Sequence, residues 1–202
     1  MSKSVLISIK PKWCEMIASG KKTVEIRKTR PKIKPPFKCY IYCTKDPKLQ
    51  FWTGPRYSYA DDHSHNQFDR CGNGKVIGEF VCDAIEAYVY DYCTHPEIGK
   101  DYDCGDSWWE IGKEDLKRAC MTYEQFKEYA MPNKDCMFGW HISNLSIYDE
   151  PQKIGAFRNI CERTYCFETC RYLLSGRCQN GIHSDDRHIT RPPQSWMYVE
   201  EE

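Results

Sequence analysis

Apolar and polar residues alternate from Val5 to Ile9, with Val5, Ile7 and Ile9 on one face, which predicts a strand. Pro11 at a first-turn position and Gly20 just past the end bracket a helix whose stripe is Trp13, Met16 and Ile17. Thr23 to Lys28 alternates again: Val24 and Ile26 face inward, Thr23, Glu25 and Arg27 the other way. The prolines of Thr29–Pro36 forbid a helix, and Lys38 to Thr44 reads as a third strand. No period emerges from Lys45 to Asn73, where a long loop or small insertion is expected.

The pattern resumes at Lys75 and runs as a strand stretch to Tyr90, with a bend expected at Ala84. Residues 93–112 are acidic, aromatic and irregular. Glu114 to Cys120 suggests a short helix. Thr122 opens another through a capping box with Gln125 and a Met121/Phe126 staple, and Pro132 closes it. Phe138 to Tyr148 and Ser195 to Val199 complete about six strands. With three or four short helices this predicts one α+β, barrel-like domain. Residues 45–74 and 154–190 would be insertions in it.

A chain of 202 residues, 41% apolar and 14% aromatic, can fill one such core. No apolar run reaches the length of a spanning helix, and the first residues lack the apolar segment of a signal peptide. A cytoplasmic protein with no membrane partner is expected. The net charge is zero, but residues 1–38 hold eleven Lys and Arg against Glu15 and Glu25, while residues 79–115 hold eleven acids against Lys100 and Lys113. One face could therefore meet a polyanion, or the two segments could neutralise each other.

Thirteen cysteines are too few for a disulfide scaffold, and Cys39, Cys43, Cys82 and Cys93 read as buried thiols. Cys161, Cys166, Cys170 and Cys178 differ: four thiols fall within 18 residues, with His183 and His188 shortly after. Soft ligands at such spacing suit a structural Zn²⁺, although reduced cysteines on a short helix would give the same pattern. Asp61, Asp62, His63 and His65 lie in a turn-rich segment and read as an exposed turn. His141 reads as a packed core histidine and Cys14 as a structural thiol. No dinucleotide fingerprint or P-loop occurs, so no nucleotide cofactor is expected.

The junction Gly20-Lys21-Lys22-Thr23-Val24-Glu25-Ile26-Arg27 resembles the ASCH family, whose hallmark is G-x-K-x-x-E-x-R between the first helix and second strand. The resemblance implies a PUA-like open β-barrel and binding of RNA or a modified nucleotide. A carboxylate beside a guanidinium can read a base edge and a phosphate together. The binding residues would be Gly20, Lys22, Thr23, Glu25 and Arg27, extended by the basic run Lys28, Arg30, Lys32, Lys34 and Lys38. Phe51, Trp52, Tyr57 and Tyr59 could add stacking platforms or cap the core.

Small bacterial relatives of this fold deacylate N4-acetylcytidine, which implies an alternative, an amidohydrolase. In it Lys22 would steady the oxyanion and Glu25 would activate water. The threonine those enzymes use is replaced here by Glu25. A third possibility is a protein-interaction module that uses the two charged segments.

Overall fold

A computed structural model describes residues 3–53, 70–91, 108–131, 136–160 and 188–200. The chain forms two units. One comprises residues 1–14, 38–80 and 145–202, the other residues 15–37 and 81–144.

The first unit is built on a five-stranded sheet of β1 (Lys3–Ile9), β3 (Phe37–Cys43), β4 (Lys75–Cys82), β8 (Ser143–Lys153) and β9 (Trp196–Glu200), in the order β8-β4-β3-β1-β9. Parallel pairing sets Val5 beside Cys39 and Ile9 beside Cys43, and antiparallel pairing sets Lys3 beside Glu200. Because β1 is an inner strand covered on both faces, every residue from Ser4 to Ile9 is buried, not just the odd-numbered set. Leu6, Tyr40, Tyr42, Val76, Phe157, Ile189 and Val199 form a core, with Tyr40 and Phe157 meeting edge to face at 4.8 Å.

Phe157 and Ile189 flank the cysteine-rich stretch, and the Ile189 amide donates to the Phe157 carbonyl at 2.9 Å. A single bridge joins Arg158 to His188. Both ends of the 154–190 stretch thus enter this core. In the 45–74 stretch, the Asn73 amide donates to the Leu49 carbonyl at 2.7 Å and its oxygen accepts from the Phe51 amide at 2.9 Å. Phe51 is buried, and a Cβ on Gly72 would run into both Phe51 and Ile77. Phe51 is not an exposed stacking platform. Trp52 is half-buried, and Tyr57, Tyr59 and Asp61 to His65 lie outside the described residues.

The second unit holds β2 (Val24–Arg27), β5 (Ile85–Asp91), β6 (Trp108–Trp109) and β7 (Cys136–His141), in the order β2-β7-β5-β6. Two helices, α2 (Lys113–Arg118) and α3 (Tyr123–Ala130), follow β6. The capping box at Thr122 and Gln125 is present in full. Met121 packs against the core cluster that contains Phe126. That cluster comprises Val24, Ile26, Tyr88, Tyr90, Trp109, Ala119, Phe126, Ala130 and Met137.

Nine strands stand among the described residues where about six were expected: two expected stretches are split, and β6 forms inside the 93–112 stretch that reads as irregular. The Lys75–Tyr90 stretch breaks at Asp83 and Ala84, and the Phe138–Tyr148 stretch breaks at Ile142. Asn144, at φ 47, takes the left-handed backbone that its short polar side chain tolerates. The first helix, α1 (Pro11–Ala18), buries Cys14 and Ile17 fully and Trp13 and Met16 only in part. Its apolar stripe is therefore centred on Cys14 and Ile17. No helix among the described residues is long and apolar enough to cross a membrane.

Candidate nucleic-acid interface

After α1 the chain reverses at Gly20, whose φ of +71 suits a residue without a Cβ. No atom lies within 4 Å of where a Cβ would stand, so the demand for glycine is conformational. Gly20 thus shapes the turn, and the Lys22 amide returns to the Met16 carbonyl at 2.9 Å. Thr23 is half-buried and lies just before β2. It is tied through its backbone to Arg118 and Ile142, each at 2.9 Å.

Alternation predicted Thr23, Glu25 and Arg27 along one face. The group that assembles is Lys22, Glu25 and Arg27, respectively 2%, 6% and 6% exposed. Lys22 Nζ lies 3.4 Å from Glu25 Oε2 and donates to the Ala119 carbonyl at 2.8 Å. Arg27 Nη2 lies 3.1 Å from Glu25 Oε1. These charges do not lie on a solvated strand face, because all four residues of β2 are buried. Taking such charges out of water is costly unless each is closely paired, and each carboxylate oxygen here faces its own cation. Glu25 therefore organises two cations. Register sets Glu25 opposite Trp140 and Arg27 opposite Phe138 on β7.

The basic run divides. Lys28 is half-buried; its Nζ lies 5.3 Å from the centre of the Tyr129 ring and donates to the Met131 carbonyl at 3.4 Å. Arg30 is exposed, with its guanidinium 5.5 Å from the Phe138 ring centre. Lys32 and Lys34 are exposed. Lys38 belongs to β3, where its Nζ lies 3.4 Å from Glu79 Oε1, so it serves the five-stranded sheet instead of extending the strip.

Tyr129, on α3, escaped the sequence reading. Burial pushes its phenol up, Arg27 opposes that shift and Glu25 adds to it, which places the hydroxyl within the field of the ion cluster. The available signal was helical: Tyr129 follows Phe126 by three residues and precedes Ala130, at the edge of the buried face.

His141 is not a packed core histidine. It ends β7 beside the break after β4, where it is half-exposed, and its Nδ1 pairs with Asp83 Oδ1. Burial draws the Asp83 carboxyl upward, but the hydrogen bond and charge of His141 and the Ser143 hydroxyl hold it below its ordinary value. Cys14 is buried and its thiol donates to the Ile9 carbonyl at 3.6 Å, as a structural thiol does. Cys39, Cys43 and Cys82 are buried too, and burial pushes the Cys82 thiol up to about 12. Cys93, Cys161, Cys166, Cys170, Cys178 and His183 lie outside the described residues. Among the described residues no three His, Cys, Asp or Glu side chains stand together to hold a metal.

No curated protein matches the chain. Among solved structures it is similar to the ASCH protein of Zymomonas mobilis at 18% identity, over 98% of this chain and 88% of that one, with a TM-score of 0.46. A point mutant of that protein matches at 16% identity, over 99% and 92%, with a TM-score of 0.45. The family model described as the ASCH domain matches residues 7–153. That span takes in the Gly20 turn and all three members of the buried ion cluster, together with the α+β framework of PUA-like kind that carries them, and the chain belongs to the ASCH domain family.

Proposed function

We propose that this chain binds RNA, or a modified nucleotide within it, through the second unit, with the Lys22–Glu25–Arg27 cluster as the base of the site and Lys28, Arg30, Lys32 and Lys34 as its phosphate-facing rim. Membership of the ASCH family supports an RNA ligand. The observation that carries the reading is continuity: Arg27 of the buried cluster leads within seven residues to three exposed cations, Arg30, Lys32 and Lys34. A proline-punctuated cationic segment next to rigid, fixed charges suits a polyanionic strand. Gly20 and Thr23 contribute backbone geometry to this site. The buried thiols of the first unit fit a cytoplasmic setting.

The amidohydrolase alternative ranks lower because each Glu25 oxygen already faces a cation. Incubation with N4-acetylcytidine separates the two readings. Binding alone predicts no cytidine at high protein concentration, whereas turnover that disappears in Lys22→Ala would make the chain an amidohydrolase. A protein-interaction module would neither bind RNA nor release acetate.

We further propose a structural zinc held by Cys161, Cys166, Cys170 and Cys178. Ligand type and spacing support it. So does the pairing of Phe157 and Arg158 with Ile189 and His188, which closes the stretch at its base, as a metal-pinned excursion requires.

A further inference from the structure

The rim of the site is more than a row of charges. Two of its cations lie over aromatic rings, Lys28 over Tyr129 and Arg30 over Phe138. Both rings border Arg27. Tyr129 lies within its electrostatic reach, and Phe138 is its cross-strand partner. Neither ring is fully enclosed: Tyr129 is 38% exposed and Phe138 half-buried. On the Phe138 side, Ala87 pairs with Phe138 and is exposed, and Val89 is exposed two residues further along β5. This end of the sheet therefore presents an apolar shelf under a guanidinium.

Duplex RNA hides its base faces within the stack and offers backbone and groove, so it has no use for open rings. An unstacked base has a face to lay on an aromatic ring, and cations beside that ring can hold the flanking phosphates. From this alternation of rings and cations we infer that the ligand is single-stranded, with one unpaired base stacked on Tyr129 in place of the Lys28 ammonium and a neighbouring base on the Phe138 shelf. Arg30, Lys32 and Lys34 then take successive phosphates. The inference rests on the proposed RNA-binding function and specifies which form of RNA the site accepts.

The test uses the full chain and two fluorescein-labelled probes, an unstructured 12-nucleotide oligouridylate and a 12-base-pair RNA duplex. Tyr129→Leu removes the stacking face while keeping apolar bulk, and Tyr129→Trp restores a larger face. The wild type should prefer the single strand. Tyr129→Leu should weaken single-strand binding about tenfold, the effect of losing one stacked base, while Tyr129→Trp binds at least as tightly as the wild type. Unfolding midpoints of both variants close to wild type show that the change lies in the surface, because Tyr129 is partly solvent-exposed. Equal affinity for both probes, or Tyr129→Leu binding like the wild type, overturns the stacking inference and leaves the RNA-binding function standing. If neither probe binds, the RNA-binding function itself fails.

Discussion

Lys22 and Glu25 are three residues apart in sequence, and their charged groups lie 3.4 Å apart in a place where neither side chain is more than 8% exposed. The contact forms because Gly20 turns the chain and β2 starts at once, so a lysine at the end of the turn and a glutamate inside the strand come to the same side. Two of the four motif positions thus make a geometry, and Arg27 completes it from the other carboxylate oxygen. Gly20 supplies the bend.

Removing the anion at the centre of this cluster should be costly. Glu25→Gln leaves two buried cations facing a neutral amide, and urea unfolding should show a loss of about 3–5 kcal/mol. Lys22→Met keeps the Arg27 pair and removes the donor to the Ala119 carbonyl, for a smaller loss of about 1–3 kcal/mol. A Glu25→Gln protein as stable as the wild type would mean that the cluster is not closed in solution.

The two sheets contain glycines under different constraints. A Cβ on Gly78 would stand 2.3 Å from the backbone oxygen of Ser146, and one on Gly139 would stand 2.6 Å from the Tyr88 hydroxyl. Each Gly→Ala change should cost about 1–3 kcal/mol by overpacking. Only the second has a side-chain remedy: the Tyr88 ring carbon Cε2 would also stand 2.8 Å away, so Gly139→Ala and Tyr88→Leu, which removes ring and hydroxyl together, should be less than additive in thermal unfolding. Full additivity would contradict the close approach.

The Asp83–His141 pair predicts a weak acid sensitivity. A carboxyl whose folded pKa is lowered contributes stability that is present above its unfolded value and lost as pH falls through the folded value. The contribution is therefore full above about pH 4, the ordinary aspartate range, and fades as pH falls below it. Both side chains are partly exposed, so the effect is small. In His141→Ala the part of the acid-induced loss due to Asp83 should shrink. An unchanged stability profile between pH 5 and pH 2 would contradict the pairing.

Much of the framework was legible as pattern. The capping box at Thr122 and Gln125 depends on local spacing, and it forms as read. The bend at Ala84 coincides with the gap between β4 and β5. What local pattern could not give was burial on both faces. Glu25 and Arg27 read as the outer face of an alternating strand, yet packing on both sides of β2 encloses them. Lys22 had no assignable face until the Ala119 carbonyl, 97 residues away, gave it one. Lys38 looked like the last residue of a basic strip because charge along the sequence says nothing of a partner such as Glu79 on a neighbouring strand. Tyr129 and the Asp83–His141 pair likewise depend on tertiary neighbours.

The cysteine-rich stretch predicts a metal content. The purified protein, prepared without added metal, should carry about one zinc per chain, as a four-ligand structural site does. Cys161→Ser with Cys166→Ser should abolish it. Metal-free protein with four titratable thiols in this stretch would contradict the assignment.

The proposed RNA binding depends on the exposed cationic rim beside the buried cluster. The most direct measurement is single-stranded RNA affinity across a salt series, for the wild type and for Arg30→Glu, Lys32→Glu and Lys34→Glu combined. Each lost phosphate contact on a single strand lowers the slope of log affinity against log salt by about 0.7, so the triple variant should bind weakly with a slope shallower by about 2. Affinity that ignores salt, or a triple variant that binds with the wild-type slope, would contradict RNA binding by this rim.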